Sequence, residues 1–177
     1  MTKEPAKLSL QAVHLVRTAT QTNLTLSQMA DQKASILMGA TFVVFTIAVG
    51  QARSGAVPLT LLVLALFAFL SAMCAVAAIL PAVTGKGSAG AQPNLLFFGT
   101  FSQMSEEEFA DRVLAELGDD ESICRTMLRD IHQNGMVLQH KKYRLLRLAY
   151  LLFLTGLVSA FAIFLFESRA IFGIATL

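Results

Sequence analysis

Charge is what this chain has least of, and its absence is concentrated. Only 15% of the 177 residues are Asp, Glu, Lys or Arg. The stretches 34–52, 57–80 and 148–166 contain none of these and no histidine. With 55% hydrophobic residues the chain is too apolar for an ordinary soluble domain of its length. Each uncharged run holds about 19 residues or more, enough at ~1.5 Å per residue to cross a ~30 Å hydrocarbon core. In lipid every backbone N–H and C=O must be satisfied internally, which makes the three runs helices.

Other scarcities narrow the chemistry. The two cysteines, Cys74 in mid-span and Cys124 outside the spans, make neither a disulfide framework nor a metal pattern. His14, His132 and His140 have no ligand spacing with each other or with a cysteine, so no metal site is expected. No span holds an Asp pair or a Ser–His pair for hydrolysis. None holds the ionisable group that an ion-coupled pump keeps within the membrane. Gly85-Lys86-Gly87 lacks the spacing of a phosphate loop. The chain therefore reads as a non-enzyme, with no catalytic residues and no cofactor.

What is present begins where the chain changes solvent, between Met29 and Gly39. Within 1–33, Leu8, Ala12, Leu15, Val16, Ala19, Leu26, Met29 and Ala30 recur near helical spacing opposite a polar face. No Gly or Pro separates this segment from the first span, so one helix carries from water into lipid. Asp31 and Lys33 lie at that boundary, where interfacial anchoring and a role in ligand binding or gating both stay open. Small residues at i, i+4 spacing (Ser35 and Gly39, Ser71 and Ala75, Gly156 and Ala160) favour a packed hairpin or a homo-oligomer. Pro58 suits the first turn of the second helix. Lys and Arg number four before the first span and eight between the second and third, against two on the other side. By the positive-inside rule the N-terminus and 81–147 are cytoplasmic and the tail 167–177 is external.

The 81–147 segment opens with a glycine-rich loop over 84–93 and a short aromatic run, Asn94 to Phe101. Ser105 and Glu108 form a capping box for a helix reaching Leu117, and Asp119 to Ser122 offer the next cap. From Ile123 a helical period runs to the third span, with Asn134-Gly135 a weak point in one long helix. The expected fold is all-α: an integral membrane protein with three transmembrane helices and a cytoplasmic helical lobe. That lobe is built from extensions of the first and third spans plus a short helix.

Two polar clusters stand out. Arg125, Arg129, Asp130, Gln133 and Asn134 lie within about three helical turns, and Arg129 with Gln133 at i, i+4 can hold a phosphate or a base edge. A solvated or helix-bundling face is the commoner use of such a cluster. Lys141, Lys142, Arg144 and Arg147 form the second, which suits juxtamembrane anchoring to anionic lipid.

Several segments, in order, resemble the transmembrane effector family of Pycsar anti-phage systems. They are Ala30-Asp31-Gln32-Lys33-Ala34-Ser35, Asn94-Leu95-Leu96-Phe97-Phe98-Gly99, Met104 to Phe109, Arg129 to Gly135, Lys142-Tyr143-Arg144 and Leu148-Ala149-Tyr150. The resemblance covers about residues 20–166. It implies a bacterial inner-membrane protein that senses a cyclic nucleotide second messenger, typically a pyrimidine cyclic mononucleotide, and impairs the membrane in abortive infection. By resemblance and polarity the nucleotide-binding candidates are Arg129, Gln133, Asn134, Asn94, Phe97, Asp31 and Lys33. The implied partners are the lipid bilayer, the nucleotide and further copies of the chain, with no nucleic-acid polymer. A constitutive membrane scaffold or channel subunit, its lobe docking a protein, is the alternative.

Overall fold

The computed structural model describes residues 10–52, 55, 58–80 and 94–174. Pro5, the glycine-rich loop of 84–93 and the last residues of the tail lie outside them. Among the described residues there are helices and no strands. Three helices are long and apolar enough to cross a membrane: Gln11–Gln51, Leu59–Ile79 and Asp120–Arg169.

Helix α1 (Leu10–Ala52) has no break at Lys33. Apolar periodicity supplies its face at both ends, so the chain need not change conformation where its solvent changes. The Thr18, Thr22 and Thr25 hydroxyls each donate to the carbonyl four residues earlier, a back-bond that satisfies the hydroxyl without strengthening the helix, so packing must hold it. Helix α2 (Leu59–Ile79) is preceded by Pro58, whose carbonyl accepts from Leu61 and Leu62 N–H. Proline thus stands at the cap, one place before the first turn. Helices α3 (Phe98–Phe101), α4 (Glu106–Glu116), α5 (Asp120–Val137) and α6 (Arg144–Ile174) follow. Between α5 and α6 the chain stays helical through a π turn, Leu138–Tyr143. The expected weak point at Asn134-Gly135 lies inside α5, and the irregularity comes after it.

The caps follow local chemistry. Ser105 Oγ accepts from Glu108 N–H at 3.2 Å, and Asp119 Oδ2 from Ser122 N–H at 3.2 Å. The Ser105 box is half-formed, because the Glu108 carboxylate pairs with Arg112 instead.

The described residues divide into two compact units. The first contains 10–27 and 94–139; the second contains 28–80 and 140–174. In the first, Val16, Leu95 and Leu138 are buried. Asn23 Nδ2 donates to the Ile131 carbonyl, the Phe101 and Phe109 rings meet at 5.3 Å, and Thr126 Oγ1 donates to Glu116. Cys124 is a free thiol.

The second unit is packed by small side chains. Ala68, Ser71, Ala75 and Ala78 of α2 and Ala149 and Ala160 of α6 are buried where these helices meet. Ser71 Oγ donates to the Ala149 carbonyl at 2.8 Å. Gly156 is buried at the crossing, and a Cβ there would collide with Phe67. Close approach of backbones is the attractive force available in lipid, where apolar burial yields no gain over contact with acyl chains. The Ser35 and Gly39 spacing is used differently: both are exposed, with open space beside Gly39. In α1 the buried stripe is Ala30, Ala34, Leu37 and Thr41, on the opposite side. Thr60 Oγ1 donates to Glu167 at 2.8 Å near the other end of the spans. Cys74 is free.

Candidate functional site

The polar centre of the first unit is Asp130. It lies on α5 one turn before Asn134, and the helical period puts both on one face. Asp130 Oδ1 accepts from Asn134 Nδ2 at 2.9 Å and from Asn94 Nδ2 at 2.8 Å. Asn94 is only 3% exposed and precedes the turn into α3. Its Oδ1 accepts from Leu96 N–H at 3.0 Å, an Asx-type turn that fixes the amide and leaves its NH2 aimed at the carboxylate. A local turn therefore presents one carboxamide, a helix presents the other, and the carboxylate joins them across 36 residues of sequence.

Arg129 and Gln133, both half-buried, occupy the adjoining face of α5. Arg125, grouped with them by spacing, is engaged by Glu121 on its own helix. Phe97 is the residue that caps α3, half-buried, with its ring 5.0 Å from that of Phe98. The arrangement offers hydrogen-bond acceptors, carboxamide donors and a guanidinium within one unit. Such groups recognise base edges, hydroxyls and phosphates. Among the described residues no group of three His, Cys, Asp or Glu side chains is placed to hold a metal ion.

Asp31 and Lys33 belong to the second unit. Both Asp31 carboxylate oxygens accept from Lys142 Nζ at 2.8 Å. The side chain of Lys142 is 19% exposed and that of Asp31 39%. This bond ties α1 to the π turn. Lys33 is exposed, and its carbonyl accepts from Tyr150 OH at 3.3 Å. Lys141 reaches the Leu80 carbonyl just past the end of α2. The structure therefore joins Asn94 with Asn134 and sets Arg129 and Gln133 beside them, while Asp31 takes part in an ion pair within the other unit.

Two features of the structure escape sequence reasoning. Asp130 belongs to the α5 cluster but not to the candidates read from it, although its i, i+4 relation to Asn134 is a usable signal. Lys142 has the sequence setting of a lipid-anchoring cation, and nothing local points to a partner 111 residues away.

Residues 14–167 match the family model described as Pycsar effector protein domain. Neither a curated protein nor a solved structure matches the chain.

Proposed function

The chain belongs to the Pycsar effector protein family, the transmembrane effectors of these anti-phage systems, and from that premise we propose that a cyclic nucleotide activates it to impair the membrane. The favoured ligand is a pyrimidine cyclic mononucleotide. Its site is the α5 face of the first unit, with Arg129 on the phosphate and Gln133, Asn134 and Asn94 on the base or sugar. The N-terminus and 81–147 are cytoplasmic, so the site meets a soluble messenger, and the infected cell dies before phage mature.

The observation that carries this reading is the knot of Asn94, Asp130 and Asn134, which is built from segments within the matched region. A part-buried carboxylate–amide network is held in one arrangement, and a ligand that exchanges one of its bonds shifts the whole network. Helix continuity through Lys33 and from Asp120 to Arg169 gives the shift a route into the spans. Spans in several copies then repack. Moving such an equilibrium from 1:99 to 99:1 requires ~10⁴-fold preference for the active state, about 5.5 kcal/mol. Two charge-assisted hydrogen bonds at about 1.5–3 kcal/mol each supply much of it.

Calorimetric titration of the purified chain with cyclic CMP, UMP, AMP and GMP tests the proposal. Saturable heat with a pyrimidine nucleotide is expected, and Arg129→Ala weakens it at least about tenfold, in line with the loss of one charge-assisted bond. If no nucleotide binds, the chain is instead a constitutive scaffold or channel subunit. If Arg129→Ala leaves affinity and toxicity unchanged, the site lies elsewhere.

A further inference from the structure

Two neighbouring lysines of the π turn bind two different helices. Lys142 Nζ donates to both carboxylate oxygens of Asp31 on α1, and Lys141 Nζ donates to the carbonyl of Leu80, the C-cap of α2. Deeper along the third span, Tyr150 OH reaches the Lys33 carbonyl of α1. These residues stand where the chain enters and leaves the second unit, which begins at Gln28, breaks off at Leu80 and resumes at His140. Asp31, Leu80, Lys141 and Lys142 each lie within one helical turn of those points. The lysines sit on a π turn, an irregularity that α-helices keep mostly at functional positions.

Past this level α1 is held less closely. Its buried stripe ends at Thr41, and from Phe42 to Gln51 every residue is exposed or half-buried. Beside that stretch a groove of about 510 Å³ opens between α1 and α2, and the Phe45 and Phe69 rings meet across it at 5.9 Å. The hydroxyls of Thr41 and Thr46, which line the groove, donate to carbonyls of α1 itself, so widening it breaks neither bond. Helices α2 and α6, by contrast, are joined in both halves. Ser71 bonds Ala149 in one, and Phe67 packs on Gly156 and Thr60 bonds Glu167 in the other.

We propose that the Asp31–Lys142 ion pair is a latch that holds α1 at rest, and that opening it lets the outer half of α1 swing away from α2. The pair suits reversible use. Both carboxylate oxygens are engaged at 2.8 Å, so the closed geometry is definite. The Asp31 side chain is nevertheless 39% exposed, and the lysine stem can turn its ammonium to water, so neither charge is stranded in lipid when they part. Such a pair returns little net stability after its desolvation cost; its use is to select one arrangement over another. The inference rests on the proposed function only for the consequence of the swing, damage to the bilayer, and the swing is measured separately.

The test uses the full chain in dye-loaded phospholipid vesicles, without nucleotide. Spin labels on Ile47→Cys of α1 and Leu66→Cys of α2, both exposed positions, report the distance between these helices in a Cys74→Ala, Cys124→Ser background. With the latch intact a single short distance is expected. Asp31→Asn and Lys142→Gln should each add a longer one, raising the open-to-closed ratio about tenfold, a usual size for coupling between sites. Dye release should quicken by a similar factor. The charge-swapped double variant, Asp31→Lys with Lys142→Asp, should restore the short distance, which no general loosening of the fold would do; circular dichroism checks that each variant keeps its helicity. An unchanged distance in both neutral variants overturns the latch, as does a swapped variant that keeps its helicity and stays open. A longer distance with the dye retained supports the latch and overturns instead the reading that movement of the spans harms the bilayer.

Discussion

In the first unit a carboxylate organises its neighbours: Asp130 holds two asparagines from distant parts of the chain. In the second, alanine, serine and glycine let helices α2 and α6 touch, with one hydroxyl–carbonyl bond between them. The difference follows from the solvent each unit faces. In water a helical unit with few buried apolar side chains gains from paired polar groups, since an unpaired one costs more than a pair returns. In lipid there is no hydrophobic gain to collect between helices, and packing density does that work. One unit can change state by exchanging hydrogen bonds, whereas the α2–α6 crossing of the other changes by moving a whole helix.

The largest effect should come from spoiling the close crossing. Gly156→Leu places a side chain where Phe67 already sits and should destabilise the second unit by about 3 kcal/mol, the upper part of the usual overpacking cost. Thermal unfolding in micelles should show a clear fall in midpoint, and an unchanged midpoint would mean the α2–α6 crossing is loose.

Next is Asp130→Ala, which leaves the Asn94 amide buried without its acceptor at a cost of about 2 kcal/mol. Hydrogen exchange should rise across 94–134 and stay level in the spans. Asp130→Asn, which keeps an acceptor oxygen, should recover part of the loss.

The last two changes compare one residue type in two solvents. Ser105→Ala removes the cap of α4 and should cost about 1 kcal/mol. Ser71→Ala removes a hydrogen bond between helices in lipid and should cost about 0.6 kcal/mol, because the unfolded state in the bilayer finds substitutes. Urea titration of the first and steric-trap unfolding of the second would give the ratio. A larger loss at Ser71 would reverse the comparison.

Much of this fold was legible because its signals are local. Uncharged runs gave the three spans, and Ser105 and Asp119 announced their helix starts within three residues. Half of the candidate site was legible for the same reason: Arg129, Gln133 and Asn134 share one stretch of α5. What stayed hidden depends on tertiary partners. The π turn is a mid-helix irregularity without a residue signature, and it carries Lys141 and Lys142, whose partners Leu80 and Asp31 are far off in sequence. The Asp31–Lys142 pair joins residues that the sequence separates by 111 positions. The open space at Gly39 could not be told from the tight crossing at Gly156, since small spacing records a possibility for both.

The placement of sulfur has a practical consequence. The chain's two free cysteines fall one in each unit, Cys124 in the first and Cys74 within a span of the second. A charged maleimide dye that stays in buffer selects Cys124 over Cys74, because the thiolate it attacks is disfavoured in hydrocarbon. Native protein, with no engineered label, thus carries an intrinsic labelling position in the unit that holds the candidate site.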